Sequence, residues 1–439
     1  MADIISPLLA LVLGLVLIGG VLRQFRTEER GLLLAAFLFH VLAAFAQVWI
    51  TQGIYGGGDM MVYFVTGATI ADVVSYDPGR FFPELVALLV HQESIWPFYV
   101  MGAGGSTGTM SAVSGLLQLV LGESIYGVCV ALSIAAFFGQ LALYRVFREV
   151  FQTHLWRRHL VATMLVPSVV FWSSAILKET VAMAAFGWVV LGLHRFVQRR
   201  RAVGVALVLF AGFWVAMVKA YVLFALALAG AVWWYWRRAN DASGGRGVDL
   251  RPGYVLIGVG AVVLMIVVLG ELFPRYAVEK VGEETARLQH VGTSVQGGSY
   301  YEVAEQEERS LLGQLAFAPL ALATSLFRPA FFEVRNVTMA VNAIETTTLT
   351  VLLLMAFARR SPKGLWNEIK RSPTLAFAIV FVVGFGVAVG LASTNLGTLS
   401  RYRIPMMPFF AALVLTWTAR APHGSHAHPR LPPARHVSL

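Results

Sequence analysis

Apolar residues along this chain come in long unbroken runs, separated by short polar clusters. Runs at 5–22, 31–50, 124–144, 159–176, 178–194, 203–218, 220–236, 253–273, 337–358, 374–393 and 405–419 carry little or no charge. Their lengths suit helices crossing about 30 Å of hydrocarbon. Only helices and closed barrels satisfy their backbone polar groups in a bilayer, and the runs show no strand-like alternation. The pattern predicts an all-α polytopic bundle of about eleven transmembrane helices. Residues 1–419 are expected to form one transmembrane domain, and the Pro- and His-rich tail 420–439 a disordered cytoplasmic extension rather than a metal-binding tract.

The polar clusters set an orientation. Stretches 23–30, 144–159, 194–201, 236–251, 358–371 and the tail hold 23 of the 34 Lys and Arg residues. Basic loops favour the cytoplasm, so this threading puts the N-terminus outside and the C-terminus inside. It leaves two outer segments, 51–123 and 274–336. In the first, "PGRFFPELVALLV" places Phe82, Leu85, Leu88 and Leu89 on one face of an expected interfacial helix. Two apolar stretches, 109–123 and 311–327, are short for spans and are expected to re-enter or lie on the surface. The stretch 274–310 is expected to hold a short helix followed by a polar, mobile loop.

Composition agrees with this picture. Hydrophobic residues make up 57% of the 439 and charged residues 13%, well under the roughly 25% of soluble domains. Mean hydropathy is +0.70. The net charge of +10 does not mark a nucleic-acid binder, because the basic residues sit in loops between apolar runs. A single cysteine, Cys129, excludes a disulfide framework or thiolate metal site within the chain. The first run lacks the basic flank and cleavage site of a signal peptide and is expected to be a retained helix. No phosphate-binding loop or dinucleotide fingerprint is present.

Four stretches could carry chemistry. "GGGDMMVYF" (56–64) puts Asp59 after a glycine hinge, at the expected start of a helix and just outside a span. It could cap that helix, or serve as a general base or metal ligand at the membrane surface. "PSVVFWSSAILKETVAM" (167–183) holds Lys178 and Glu179, the only charges between Leu160 and Leu193. They mark either a snorkelling turn or a cavity wall, with Trp172, Ser173 and Ser174 beside them. "SLFRPAFFEVRN" (325–336) sets Arg328, Glu333 and Arg335 among aromatics, and Glu345 follows inside the next span, paired or facing water. "LSRYRIPMMPFF" (399–410) sets Arg401 and Arg403 at the outer mouth of the last span, whose first turn can accommodate Pro405. If 400–404 is extended, both arginines reach one group, either a substrate phosphate or lipid headgroups.

The outer face thus combines one well-placed acid with Lys178, Lys219, Arg328, Arg335, Arg401 and Arg403. That set suits an anionic lipid-linked substrate. The pattern resembles the GT-C superfamily of integral-membrane glycosyltransferases, which draw on polyprenyl-phosphate or polyprenyl-diphosphate sugars. Their plan of a span, a long outer loop with a catalytic acid, then further spans maps onto 31–50, 51–123 and the runs beyond. "SRYRIPMMPFF" is similar to the R-Y-x-x-P-x-x-P-F stretch of lipid-linked sugar transferases. The resemblance implies Asp59 as base, and transfer of a sugar from a polyprenyl-phosphate-linked donor to a glycan or lipid acceptor. Lys178, Glu179, Arg328, Arg335, Arg401 and Arg403 are then the expected substrate-binding residues. It implies a multi-pass protein of the cell (inner) membrane, in contact with membrane lipids and with no nucleic-acid partner. No cofactor motif is present, and a divalent metal ion stays open. O-antigen and exopolysaccharide repeat-unit polymerases share an outer G-x-D-x-x-Y-like stretch and are the alternative. A lipid or solute transporter is a third class, against which stands the lack of internal repeats.

Overall fold

The computed structural model describes residues 2–151, 153–198, 200–244, 313 and 316–419. Every regular element among them is a helix. An antiparallel pair opens the chain, α1 (Ala2–Leu22) and α2 (Thr27–Gly53). Three shorter helices follow: α3 (Asp59–Tyr76), α4 (Pro78–Leu89) and α5 (Ser106–Leu121). The middle of the bundle is α6 (Ile125–Val150), α7 (Trp156–Met164), α8 (Pro167–Trp172), α9 (Lys178–Val197), α10 (Arg201–Lys219) and α11 (Tyr221–Ala242). The last group is α12 (Ala318–Phe327), α13 (Val337–Arg359), α14 (Pro362–Arg371), α15 (Pro373–Ala392), α16 (Leu396–Tyr402) and α17 (Met407–Trp417).

Seven of these, α1, α2, α6, α9, α10, α13 and α15, are long and apolar enough to cross a membrane. They mark the chain as a helical membrane protein. The other expected spans differ. The run 159–176 is two helices, because Pro167 has no N–H for the preceding turn and starts a new helix at its first position. The last span is only the 11 residues of α17. Pro405 lies in the turn before it, and Pro408 rather than Pro405 occupies its first turn. Run 220–236 is helical within α11 but, rich in Trp and Tyr, is not among the seven. The expected span 253–273, most of the outer segment 274–336 and the tail lie outside the described residues.

The helix α6 is the core: 78% of its apolar window is buried, against 28% for α1 and α10. Those two helices, with α13, turn Leu8, Val16, Leu209, Phe210 and Leu354 outward, as lipid-facing helices do. Helix α9 lies against α6 so closely that only glycine fits. A Cβ on Gly187 would stand 1.7 Å from the Gly139 carbonyl oxygen. Helices α3, α4 and α5 form a small core of their own around Ile70, Leu85 and Leu88. In α4 the buried face is Phe81, Leu85, Leu88 and Leu89. Leu85, Leu88 and Leu89 are buried as expected, while Phe81 rather than Phe82 completes the face and Phe82 is exposed. Trp214 of α10 packs against this small core and both larger ones.

The helix ends sort by charge. At one end, Arg148 meets Glu29 at 3.2 Å and Arg195 meets Glu149 at 3.1 Å. Arg145 donates to Gln24, Arg158 to the Leu415 carbonyl, and Asn240 to the Arg371 carbonyl. The described parts of five basic stretches therefore share one end of the bundle. Asp59, Lys178, Lys219 and Arg401 share the opposite end.

The α6–α9 contact makes a test. Gly187→Ala must push two backbones apart, and overpacking of this kind costs about 1–3 kcal/mol. We expect the detergent-solubilised variant to unfold at a clearly lower temperature than wild type. Unchanged thermal unfolding would show that the helices do not pack this closely.

Candidate functional site

Three glycines lead into the site. Gly56, Gly57 and Gly58 have φ of +69°, +140° and +127°, a region that residues with a Cβ rarely adopt. The Tyr55 hydroxyl, just before them, shares a 2.6 Å hydrogen bond with the Thr338 hydroxyl. Helix α3 is capped by Gly58 with no side-chain hydrogen bond. Asp59 is therefore not the capping acceptor its position allowed. It is the first helical residue, where the helix dipole favours a carboxylate, and its side chain is committed elsewhere.

That partner is 342 residues away. Arg401 Nη2 donates to Asp59 Oδ2 at 2.7 Å. The same guanidinium pairs through Nε with Glu179 Oε1 at 2.8 Å, and Lys219 Nζ meets that oxygen at 2.7 Å. The chain of charges runs from the interior outward. Side-chain exposure is 1% for Glu179, 4% for Lys219, 19% for Arg401 and 50% for Asp59. Lys219 also lies over the Tyr402 ring, 4.2 Å from its centroid, with Tyr221 at 5.6 Å. Burial works against the Arg401 charge, yet Glu179 and Asp59 hold its pKa well above the ordinary arginine range. Burial raises the Tyr402 phenol, so it stays neutral.

Local sequence explains why Glu179 is here. Residues 173–177 join α8 to α9 inside the bundle, and α6 satisfies the polar groups they carry. Gln140 donates to Ser173 Oγ at 2.9 Å. Ser133 lies 3.1 Å from Ser174 Oγ and donates to the His40 carbonyl at 2.8 Å. Ser173 and Ser174 are thus buried struts rather than part of a cavity wall, one of the two readings their place beside Lys178 left open. Helix α9 then starts at Lys178, with Glu179 in its first turn.

Lys178 turns to the α3–α5 unit. Its Nζ donates to Thr107 Oγ1 at 2.9 Å and lies 6.0 Å from the Tyr63 ring centroid. Its hydrogen-bond partner is a neutral hydroxyl, while the neighbouring Lys219 and Arg401 are paired to carboxylates. Burial and the nearby Asp59 raise the Tyr63 phenol well above its usual range, so Tyr63 is a neutral hydroxyl at the site.

The other expected site residues lie apart from this cluster. Arg403 is fully buried. It donates to the Ser325 carbonyl at 3.2 Å and the Arg328 carbonyl at 2.6 Å, and stands 3.8 Å from Glu345. Glu345 accepts from Ser168 N and Oγ, both at 2.7 Å, and so tethers the start of α8. The extended stretch that would aim Arg401 and Arg403 at one group is instead the end of α16 and a turn. Residues two apart on a helix diverge by about 200°. Arg328 pairs with Glu333, and the two hydrogen bonds from Arg328 and the Ala330 N–H hold that carboxyl below its usual range despite burial. Arg335 is exposed on the loop before α13.

Lys219, Tyr402, Tyr63 and Thr107 complete the cluster. Lys219 is the only charge between Ala202 and Trp236, as strong a signal as Lys178. Tyr63 lies one turn from Asp59 on the same face. Thr107 carries no comparable mark. Among the described residues no group of three or more His, Cys, Asp or Glu is placed to hold a metal ion. No protein-family profile, curated protein or solved structure matches the chain.

Removing each carboxylate should separate structure from chemistry. Glu179→Gln leaves Lys219 and Arg401 close together and buried, a loss of about 3–5 kcal/mol. Asp59→Asn breaks a half-exposed pair worth under about 1 kcal/mol. Thermal unfolding should drop sharply for Glu179→Gln and barely for Asp59→Asn. Equal losses would show that Asp59 is a structural residue.

Proposed function

We propose that this protein is an integral-membrane glycosyltransferase with its centre at the extracytoplasmic end of the bundle. It would move a sugar from a polyprenyl-linked phosphate donor to a glycan or lipid acceptor. One observation carries the reading. The two short stretches on which the likeness to lipid-linked sugar transferases rests, one around Asp59 and one around Arg401, meet in a 2.7 Å hydrogen bond. The shared basic end is then cytoplasmic by the positive-inside rule, which puts Asp59 on the far side of the cell (inner) membrane. Sugar nucleotides are absent there, so an activated lipid carrier is the natural donor.

The roles follow from the chemistry. The acceptor hydroxyl oxygen attacks the anomeric carbon, its proton passes to Asp59, and the carbon–oxygen bond to phosphate breaks with its electron pair on the lipid phosphate. Arg401 orients the base. Lys178 supplies positive charge where the leaving phosphate gains its negative charge, which lowers the barrier as well as binding the donor. Glu179 and Lys219 act behind them by holding Arg401. Arg403 and Arg328 take structural places in this reading.

The test is transfer by purified protein in proteoliposomes, with polyprenyl-phosphate-linked sugars and no ion gradient. Wild type should consume donor, and Asp59→Asn should lose at least about a hundredfold in rate, the usual weight of a general base. Full activity in Asp59→Asn would overturn the assignment. Uptake of solute or lipid that depends on a gradient, without donor consumption, would point to a transporter.

A further inference from the structure

Among the described residues, three cations, Lys178, Lys219 and Arg401, face two carboxylates, Asp59 and Glu179. The cluster therefore carries one surplus positive charge. Of the other described cations nearby, Arg403 stands by Glu345 and Arg328 is paired with Glu333. Arg335 is exposed, where salt screens it. The surplus is placed on Lys178, whose hydrogen bond goes to the Thr107 hydroxyl. Glu179, Lys219 and Arg401 lie between 1% and 19% exposed, so an unmatched charge on a ligand here is poorly solvated.

We infer that the site is matched to a donor bearing a single negative charge, the phosphodiester of a sugar on a polyprenyl monophosphate, and disfavours the two charges of a diphosphate-linked sugar. This rests on the reading of the cluster as a glycosyl-transfer centre. The balance holds through the reaction. Before transfer, one surplus positive charge faces one negative phosphodiester. As the carbon–oxygen bond breaks, the lipid phosphate gains a second negative charge. The acceptor proton arriving on Asp59 removes one carboxylate charge, so the cluster's surplus rises to two. The site is neutral at both ends of the step. A diphosphate-linked donor would leave one unmatched negative charge throughout.

Sugar-free probes isolate this charge preference. Farnesyl methyl phosphate carries one charge and farnesyl methyl diphosphate two. Equilibrium binding of each is measured in nanodiscs of phosphatidylcholine, for wild type, Asp59→Asn and Lys178→Gln. Wild type should prefer the monophosphate by at least about tenfold, a modest share of what one unmatched charge is worth. Asp59→Asn, with a surplus of two, should shift the preference to the diphosphate. Lys178→Gln, with no surplus, should weaken monophosphate binding by about tenfold or more. Equal or tighter diphosphate binding by wild type overturns this inference and leaves the proposed function standing. Displacement of the probe by an equal concentration of phosphatidylglycerol also overturns it, by assigning Lys178 to bilayer headgroups. Failure of both probes to bind removes the functional reading and this inference together.

Discussion

A carboxylate at 1% exposure inside an apolar bundle must have its charge met, and Glu179 is where the arrangement at this end begins. Its partners come from far along the chain, Lys219 at the end of α10 and Arg401 at the end of α16. Arg401 then reaches Asp59, so one buried charge draws α3, α9, α10 and α16 to a point. Buried ion pairs are often no more stabilising than apolar residues of the same volume. Packing alone therefore gives no reason for Glu179. Fixing a guanidinium beside a half-exposed carboxylate does.

Helix interruptions make this possible. An unbroken span has its backbone polar groups satisfied and presents side chains mainly to neighbours or lipid. Here α9 begins inside the bundle, after a break whose serines are held by α6. Helix α10 gives way to α11 at Ala220, immediately after Lys219, and α16 ends two residues after Ser400. Each charged residue of the site other than Asp59 sits within one or two residues of such an end. Asp59 sits at the start of α3, beyond three glycines whose conformations set its approach.

Much of the framework was legible in the chain. Seven of the expected runs, those at 5–22, 31–50, 124–144, 178–194, 203–218, 337–358 and 374–393, are single helices long and apolar enough to cross a membrane, and the described parts of five basic clusters share one end. Lys178 and Glu179 stood out as charges in an apolar run, and they reached the site. What periodicity does not encode is where proline divides a run. Pro167 splits one expected span and Pro405 with Pro408 shortens another, and only the packing around Glu345 and α17 shows how each broken end is satisfied. Pairing was hidden for a different reason. Nothing local in "GGGDMMVYF" says that its acid meets an arginine 342 residues on, and an exposed aspartate after a glycine hinge reads equally well as a cap. The choice of Phe81 over Phe82 in α4 has the same origin, since two adjacent phenylalanines flank the face formed by Leu85, Leu88 and Leu89 and only packing against α3 and α5 decides between them.

Arg401 and Arg403 show how strongly backbone state governs the use of identical side chains. In an extended stretch they would share a face and converge on one anion. In the last turn of α16 and the bend that follows they point apart. One goes to Glu179 and Asp59 at the open end. The other goes inward to Glu345 and the carbonyls of Ser325 and Arg328. The inward arginine links α16, α13 and the end of α12, while Glu345 links the same point to α8. A buried inner anchor lies two residues from the Arg401 guanidinium, so Arg401 is positioned from both sides, by the carboxylates it pairs with and by the buried arginine that fixes its backbone.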